Sequence, residues 1–251
     1  MRTIKTDDGK HTIELYDGVD EMLEVRYHKF NQMMVLAAGV GNSIESIIGK
    51  LGTIRQLIDD DRAKDAKVEI INLYQAFYFV QDSIDPRSTA FATLVKSIDG
   101  VEYNDMTESG LNKVSEILSG FLTVGQRNET IDSVKKKIEE ELNQYFPHRN
   151  DENLEQLTLL RGILMAQLEG IIEDKDNGDV VGRLAKRIRD LSEATDYSTY
   201  EVESEKAREK SYLGIQETLH RDAKSMTILE YETACEMLRD RAKEYERKTK
   251  K

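Results

Sequence analysis

The sequence has few of the residues that staple or interrupt a chain: one cysteine, two prolines and no tryptophan among 251 residues. A single cysteine, Cys235, excludes an internal disulfide and favours a reducing compartment over a secreted, disulfide-linked fold. Two prolines leave little to interrupt helices, because proline removes a backbone donor and clashes with the preceding turn. We therefore expect long helices.

Long apolar runs and a basic surface are also missing. No segment approaches the roughly 18 apolar residues that a membrane span needs, and the first residues lack the apolar stretch typical of a signal peptide. The formal net charge is −12, from 36 Lys+Arg and 48 Asp+Glu. Because lysine and arginine supply affinity for the phosphate backbone, this balance argues against general duplex binding. We expect neither a membrane nor a sequence-specific nucleic acid as partner.

Residues 1–147 are predicted to form a small N-terminal β-hairpin followed by a helical domain. Asp8-Gly9 is a tight-turn signal between two alternating segments, residues 3–6 and 11–15. A lone hairpin is marginal in water, so it must lean on the helices or add to a neighbour's sheet. Apolar spacing and capping residues predict helices at about 20–38, 44–59, 63–84, 86–98, 107–121 and 129–145.

One of these helices, the third, carries a specific prediction about burial. The third has no charged residue between positions 70 and 81, and a helix that is apolar on most sides is expected to be buried on most sides. It is therefore predicted to be the central post of the domain, with a buried strand through 76–80 as the alternative. The second helix, capped by Ser43, carries six apolar side chains on one predicted face: Ile44, Ile47, Ile48, Leu51, Ile54 and Ile58.

Residues 148–251 are predicted to form a long C-terminal helical region, which makes the whole chain mainly α, a helical bundle. A helix at about 152–173 and a shorter one at 180–194 should be antiparallel neighbours, because the connection between them is short. The charge-rich segment 193–210 is either a solvated helix or a linker. Thr227 and Glu230 have capping-box spacing at the start of the last helix. The helix at about 152–173 carries an apolar stripe of Leu157, Leu160, Leu164, Leu168 and Ile171. The last helix carries an apolar seam of Ile228, Tyr231, Cys235, Leu238, Ala242 and Tyr245.

No catalytic, cofactor-binding or metal-binding motif is legible. The acidic turn from Asp174 to Asp179 lacks the glutamate at position twelve that closes a calcium loop, because Ala185 stands there. The glycines around Val40 lack both the preceding strand and the Lys-Ser/Thr pair of a phosphate-binding loop. The four histidines lie in four different elements, with no second ligand at helical spacing. The chain is therefore predicted not to be an enzyme, although a site built from residues distant in sequence stays open.

Two features predict protein partners. The hairpin offers exposed strand edges that could recruit another strand, and the last helix combines a narrow apolar seam with a basic tail at 247–251. The tail is either a docking element for the acidic body of a second copy or a solvated end. We expect a homo-oligomer, with contacts at Ile4, Ile13, Leu15, Ile228, Tyr231, Leu238 and Tyr245.

Three parts of the chain resemble proteins from the structural gene modules of tailed phages that infect Bacteroides-type gut bacteria, including crAss-like phages. The first part is IELYDG at 13–18, continuing to RYHKFN at 26–31 and AGVG at 38–41. The second is FATLVKSIDG at 91–100 followed by DMTESGL at 105–111. The third is MTILEYETA at 226–234. The likeness lies in the character of the residues in these segments and in the order of the segments along the chain.

The resemblance implies a non-enzymatic virion protein, assembled in the cytoplasm of the bacterial host. The role that it suggests is a ring-forming connector or tail component that stacks below the portal and contacts portal or tail proteins. A tail-assembly chaperone is the nearby alternative. A helical adaptor that binds one partner through residues 227–245 is a further hypothesis from the residues themselves.

Overall fold

The computed structural model describes residues 1–6, 9–41, 43–81, 85–147, 154–173, 176–191 and 195–249. The chain is 75% helical with a small N-terminal hairpin, which confirms the predicted mainly α class. The strands are β1 (Arg2–Lys5), β2 (Thr12–Leu15), β3 (Val95–Ile98) and β4 (Val101–Glu102). The helices are α1 (Glu24–Gly39), α2 (Ile44–Asp59), α3 (Ala63–Gln81), α4 (Pro86–Leu94), α5 (Glu108–Ser119), α6 (Val124–Tyr145), α7 (Leu154–Glu173), α8 (Gly178–Leu191), α9 (Tyr197–Leu219) and α10 (Ile228–Thr249).

The hairpin is part of a four-stranded antiparallel sheet in the order β1-β2-β3-β4. Ile13 pairs with Ile4 on one side and with Ile98 on the other, so β2 is an inner strand. The Asp7-Asp8 part of the predicted turn lies outside the described residues. Gly9 has a φ of +67°, a conformation that glycine adopts without strain, and its N–H donates to the Thr6 carbonyl at 2.8 Å.

The predicted helix at 86–98 is too long, because its last four residues form β3. Asp85 caps α4 and Pro86 occupies its first turn, as expected. The chain leaves the helix at Val95, where pairing with β2 satisfies the backbone and buries the side chain. Asp99 and Gly100 then turn the chain into β4 with φ values of 51° and 79°. Tertiary pairing has overridden local helix propensity here.

The main core lies between the sheet and helices α1, α4, α5 and α6. Its fully buried side chains include Phe30 of α1, Phe91 of α4, Leu111 of α5 and Ile138 of α6. α6 begins at Val124, five residues before the predicted start, because Thr123 and Gln126 form a capping box.

The C-terminal helices α9 and α10 are joined to the N-terminal body by backbone hydrogen bonds. The N–H of Glu24 donates to Met226, and the N–H of Ile228 donates to Met22. Of segment 193–210, predicted to be either a solvated helix or a linker, the part from Tyr197 onward belongs to α9, and residues 193–194 lie outside the described residues. The start of α9 is held by the buried amide of Asn72. Contacts therefore cross the predicted boundary at residue 147, while the division into two domains stays a prediction.

Helix α3 is not the predicted central post. Its buried side carries Asn72, Ala76 and Phe79, but the opposite side is exposed, with Tyr74 70% exposed. α3 lies at the edge of the body, where α2 packs on it, and its remaining apolar side is exposed. Burial was inferred from composition, which cannot tell an internal neighbour from an external one.

Candidate functional site

The most distinctive surface feature is an apolar face shared by α2 and α3. α2 packs through Ile47, Ile54 and Leu57, which are buried, while four residues of its predicted face are exposed. The predicted apolar face of α2 is therefore only partly buried, through Ile47 and Ile54. We name this surface the α2–α3 face and define it by Ile44, Ile48, Leu51 and Ile58 of α2 and Ile70, Ile71, Tyr74 and Phe77 of α3.

Both halves of the α2–α3 face lie on the same side of the helical hairpin. Lys50 and Glu69 form an ion pair at 3.4 Å on the side that faces the body, where Lys50 also donates to the Gly39 carbonyl. On a helical wheel with 3.6 residues per turn, the buried Ile47 and Ile54 of α2 and the buried Ala66 of α3 lie between this ion pair and the exposed apolar residues. Because antiparallel helices turn in opposite senses when viewed from one end, these residues meet on one surface.

A second apolar face lies on α7, which packs mainly against α8. Ala166 is buried on the side toward α8, where its carbonyl accepts from Asn177 at 2.9 Å. The opposite side carries the predicted stripe, and Ile171 on it is 79% exposed. We name this surface the α7 face and define it by Leu160, Leu164, Met165, Leu168, Ile171 and Ile172.

The predicted contact residues divide into two groups. Ile13, Leu15, Ile228 and Tyr231 are buried inside the chain, so in this conformation they cannot meet a partner, and their predicted interface role is corrected to one in the core. The reason is that Ile13 and Leu15 pair with β3, Ile228 packs in the main core, and Tyr231 packs with Tyr212 and Ile215 of α9. The remaining three stay predictions: Ile4 and Leu238 are half-buried, and Tyr245 is 71% exposed.

Tyr231 belongs to a buried polar network that connects α1, α9 and α10. The Arg208 guanidinium forms an ion pair with Glu24, whose side chain is fully buried. The same guanidinium donates to the Tyr231 hydroxyl at 2.9 Å and lies 4.4 Å from the centre of its ring. Ser211 contacts that hydroxyl at 2.5 Å. Sequence reasoning missed Glu24 and Arg208, because 184 positions separate them and neither carries a local signal.

Tyr231, which belongs to this network, and Tyr212, which lies next to it, have raised pKa values. Burial is the main cause for both, because it penalises the charged phenolate. It raises the pKa of Tyr212 to about 12 against the opposing effect of Arg208, and it raises the pKa of Tyr231 as well. The rings meet edge to face with centroids 5.8 Å apart. Neutral phenols packed in this way are typical of a structural junction.

Arg26 is a second buried cation, and it holds the sheet against α1. Its guanidinium donates to the carbonyls of Thr93 at 3.2 Å and Val95 at 3.1 Å, and also to that of Tyr103. The Tyr16 ring lies 5.1 Å away. Burial lowers the pKa of Arg26, because a desolvated charge is disfavoured, while Tyr16 and Glu102 oppose the shift. No sequence motif announces this residue.

His28 and Cys235 are both half-buried, in structural surroundings. Burial lowers the pKa of His28, whose Nε2 lies 3.5 Å from the Ser204 hydroxyl, with Glu205 opposing the shift. Burial raises the pKa of the Cys235 thiol, which packs in the cluster around Tyr231. A half-buried thiol with a raised pKa behaves as a small apolar side chain.

A shallow groove of about 650 Å³ runs between α1, α3 and α5. Its cations are already engaged: Lys29 pairs with Glu201 at 2.5 Å, and Arg127 donates to Ser88 at 2.9 Å. Within the part of the chain that the structure describes, no group of three His, Cys, Asp or Glu side chains could hold a metal ion. No described helix is long and apolar enough to cross a membrane. The acidic turn near residue 174 lies partly outside the described residues.

Gly39 and Gly41 have the structural roles of a helix end. α1 ends at Gly39, and Gly41 has a φ of +74°. A Cβ atom on Gly39 would lie 2.0 Å from the Tyr197 ring, so glycine is required for the close approach of α9.

Searches of this chain against protein-family models, curated proteins and solved structures found no match.

Proposed function

We propose that this chain is an assembly protein that acts by binding other polypeptides through its exposed helix faces. One observation carries the proposal: α7 has apolar side chains on two opposite sides, and α8 covers only one of these sides. Monomeric soluble proteins rarely expose large contiguous apolar patches, and larger ones mark interaction sites. A second such surface, the α2–α3 face, supports the same role.

Within this class we propose a virion component of a tailed phage, a ring-forming connector or tail protein. Its support is the resemblance of residues 13–41, 91–111 and 226–234 to phage structural-module proteins. A ring protein needs a rigid body with two contact surfaces, since each copy must meet two neighbours. A long-helix body carrying two separate apolar faces suits that requirement. A tail-assembly chaperone is compatible with the same faces and would differ by leaving the finished particle.

The first test is the mass of the purified chain by light scattering, combined with peptide mass spectrometry of purified phage particles. We expect a multiple of 28.8 kDa, together with peptides of this chain in the particles. A strict monomer at every concentration that is also absent from particles would end the proposal. An oligomer absent from particles would favour the chaperone.

The adaptor hypothesis has one specific observation in its favour. Beyond Leu238, every described side chain of α10 is exposed, including Tyr245. A truncation after Leu238 tests this hypothesis, because it keeps the buried Ile228 and Tyr231 that a deletion of 226–251 would remove from the core. An adaptor would lose its partner while keeping its thermal stability. An assembly protein of the proposed kind would keep its oligomeric state.

A further inference from the structure

We infer that the α7 face of one copy docks on the α2–α3 face of a second copy, so that the chain assembles head to tail. This inference rests on the proposed function and names the two surfaces that meet. The occupant of each face is therefore the other face, in a neighbouring molecule of the same protein.

The areas of the two faces fit such a contact. The eight exposed fractions of the α2–α3 face add up to a little more than four fully exposed side chains, and the six of the α7 face to somewhat less than four. At roughly 150 Å² for each side chain, the lower end of what an aromatic residue buries, the faces offer at most on the order of 650 and 550 Å². A contact that covered both faces completely would bury about 1,200 Å², the lower end of the range for stable protein interfaces.

The lengths of the two faces also match. The α7 face runs from Leu160 to Ile172, which is about 18 Å at 1.5 Å per residue. The α2 part of the other face runs from Ile44 to Ile58, which is about 21 Å. One helix lying along a two-helix surface is a recurrent mode of recognition, in which residues at helical spacing fill the groove.

Head-to-tail pairing is favoured because a single type of contact then covers both faces. If the α7 face paired with itself, the larger α2–α3 face would stay in water, and the reverse pairing would leave the α7 face uncovered. Two different surfaces that meet head to tail generate a ring when the rotation between copies closes. Pairing of identical surfaces stops at a dimer.

Two variants test the pairing, each with a single apolar face disrupted. The first is I48E/Y74E on the α2–α3 face, and the second is L164E/I171E on the α7 face. All four side chains are exposed, so folding should be unaffected, which circular dichroism melting checks. As matched controls we use Q56E on α2 and K186E on α8, two exposed positions outside both faces.

Sedimentation velocity of the variants, alone and mixed in equal amounts, gives the decisive pattern. We expect each double variant alone to lose self-association by at least about tenfold, because buried charge at an apolar contact is costly. Mixed together, they should form a dimer that grows no further, since one intact α7 face meets one intact α2–α3 face. The controls should behave as the wild type.

The alternatives give different results, and each would overturn the inference. If only one variant loses self-association, that face pairs with itself. If both variants still oligomerise, the contact lies elsewhere, and the inference fails while the proposed assembly function survives. If both are monomeric and their mixture is also monomeric, the two faces do not bind each other. A monomeric wild type with no partner refutes the proposed function itself.

Discussion

Replacing Arg208 by methionine removes the positive charge that faces the buried carboxylate of Glu24. Methionine keeps most of the aliphatic stem, so the change isolates the guanidinium. Glu24 is fully buried and Arg208 is its ion-pair partner, so the variant leaves an uncompensated charge in the junction of α1, α9 and α10. Breaking a buried ion pair from one side costs about 3–5 kcal/mol. The Tyr231 hydroxyl loses a donor at the same time.

The assay is reversible chemical unfolding at one fixed protein concentration, followed by circular dichroism. We expect the free energy of unfolding to fall by about 3–5 kcal/mol in R208M. The matched control is R221M, which breaks the Arg221–Glu230 pair at 2.9 Å, whose side chains are 58% and 43% exposed. An exposed pair contributes only about 0–1 kcal/mol, so this variant should be nearly neutral.

A double variant checks the cause of the loss. In E24L/R208M neither charge is present, so part of the stability lost in R208M should return. Equal losses of unfolding free energy in R208M and R221M, or a double variant less stable than R208M, would contradict this explanation. The Arg208–Glu24 ion pair would then not be what holds the C-terminal helices to the N-terminal body.

Three further predictions concern single residues. Burial lowers the pKa of His28, so the folded state binds fewer protons than the unfolded state, and stability should fall as the pH drops below about 6.5; H28Q should flatten this slope in urea unfolding series. G39A should lower the free energy of unfolding by about 1–3 kcal/mol in thermal melts, because its Cβ would overlap the Tyr197 ring, whereas G52A, at a site open to solvent, should not destabilise. R26M should cost about 3 kcal/mol in denaturant unfolding, because several buried carbonyls lose a charged donor; an unchanged midpoint would contradict the role of Arg26.

Local sequence signals predicted most elements of the fold. Ser43 and Thr227 cap α2 and α10 through side-chain bonds to the backbone three residues on, and such bonds depend on neighbours in sequence alone. The Gly9 turn and the alternating strands beside it are local in the same way. Most helices are predicted to within a few residues for this reason; the exceptions are the start of α6, the end of α4 and the whole of α9, for which the sequence leaves helix and linker open.

Features that depend on distant partners could not be predicted in this way. Residues 95–98 form a strand because they pair with β2, which lies about 80 positions earlier in the chain. No signal within the segment predicts this pairing. The ion pair between Glu24 and Arg208 and the carbonyls around Arg26 also bring together residues that are distant in sequence, so no local signal predicts them. Which side of an apolar helix is covered is also a tertiary property, so α3 was predicted buried and the α2–α3 face was missed. The stripe on α7 was recognised, but its exposure was not.

Hydrogen exchange of the wild-type chain at low and high protein concentration tests the central claim most directly, because it locates any contact between copies. If the α7 face docks on the α2–α3 face, peptides from 44–58, 70–77 and 160–172 should exchange more slowly at high concentration. Exchange in the distal part of α10 should stay the same. Exchange rates that are independent of concentration throughout, or protection confined to other segments, would contradict it.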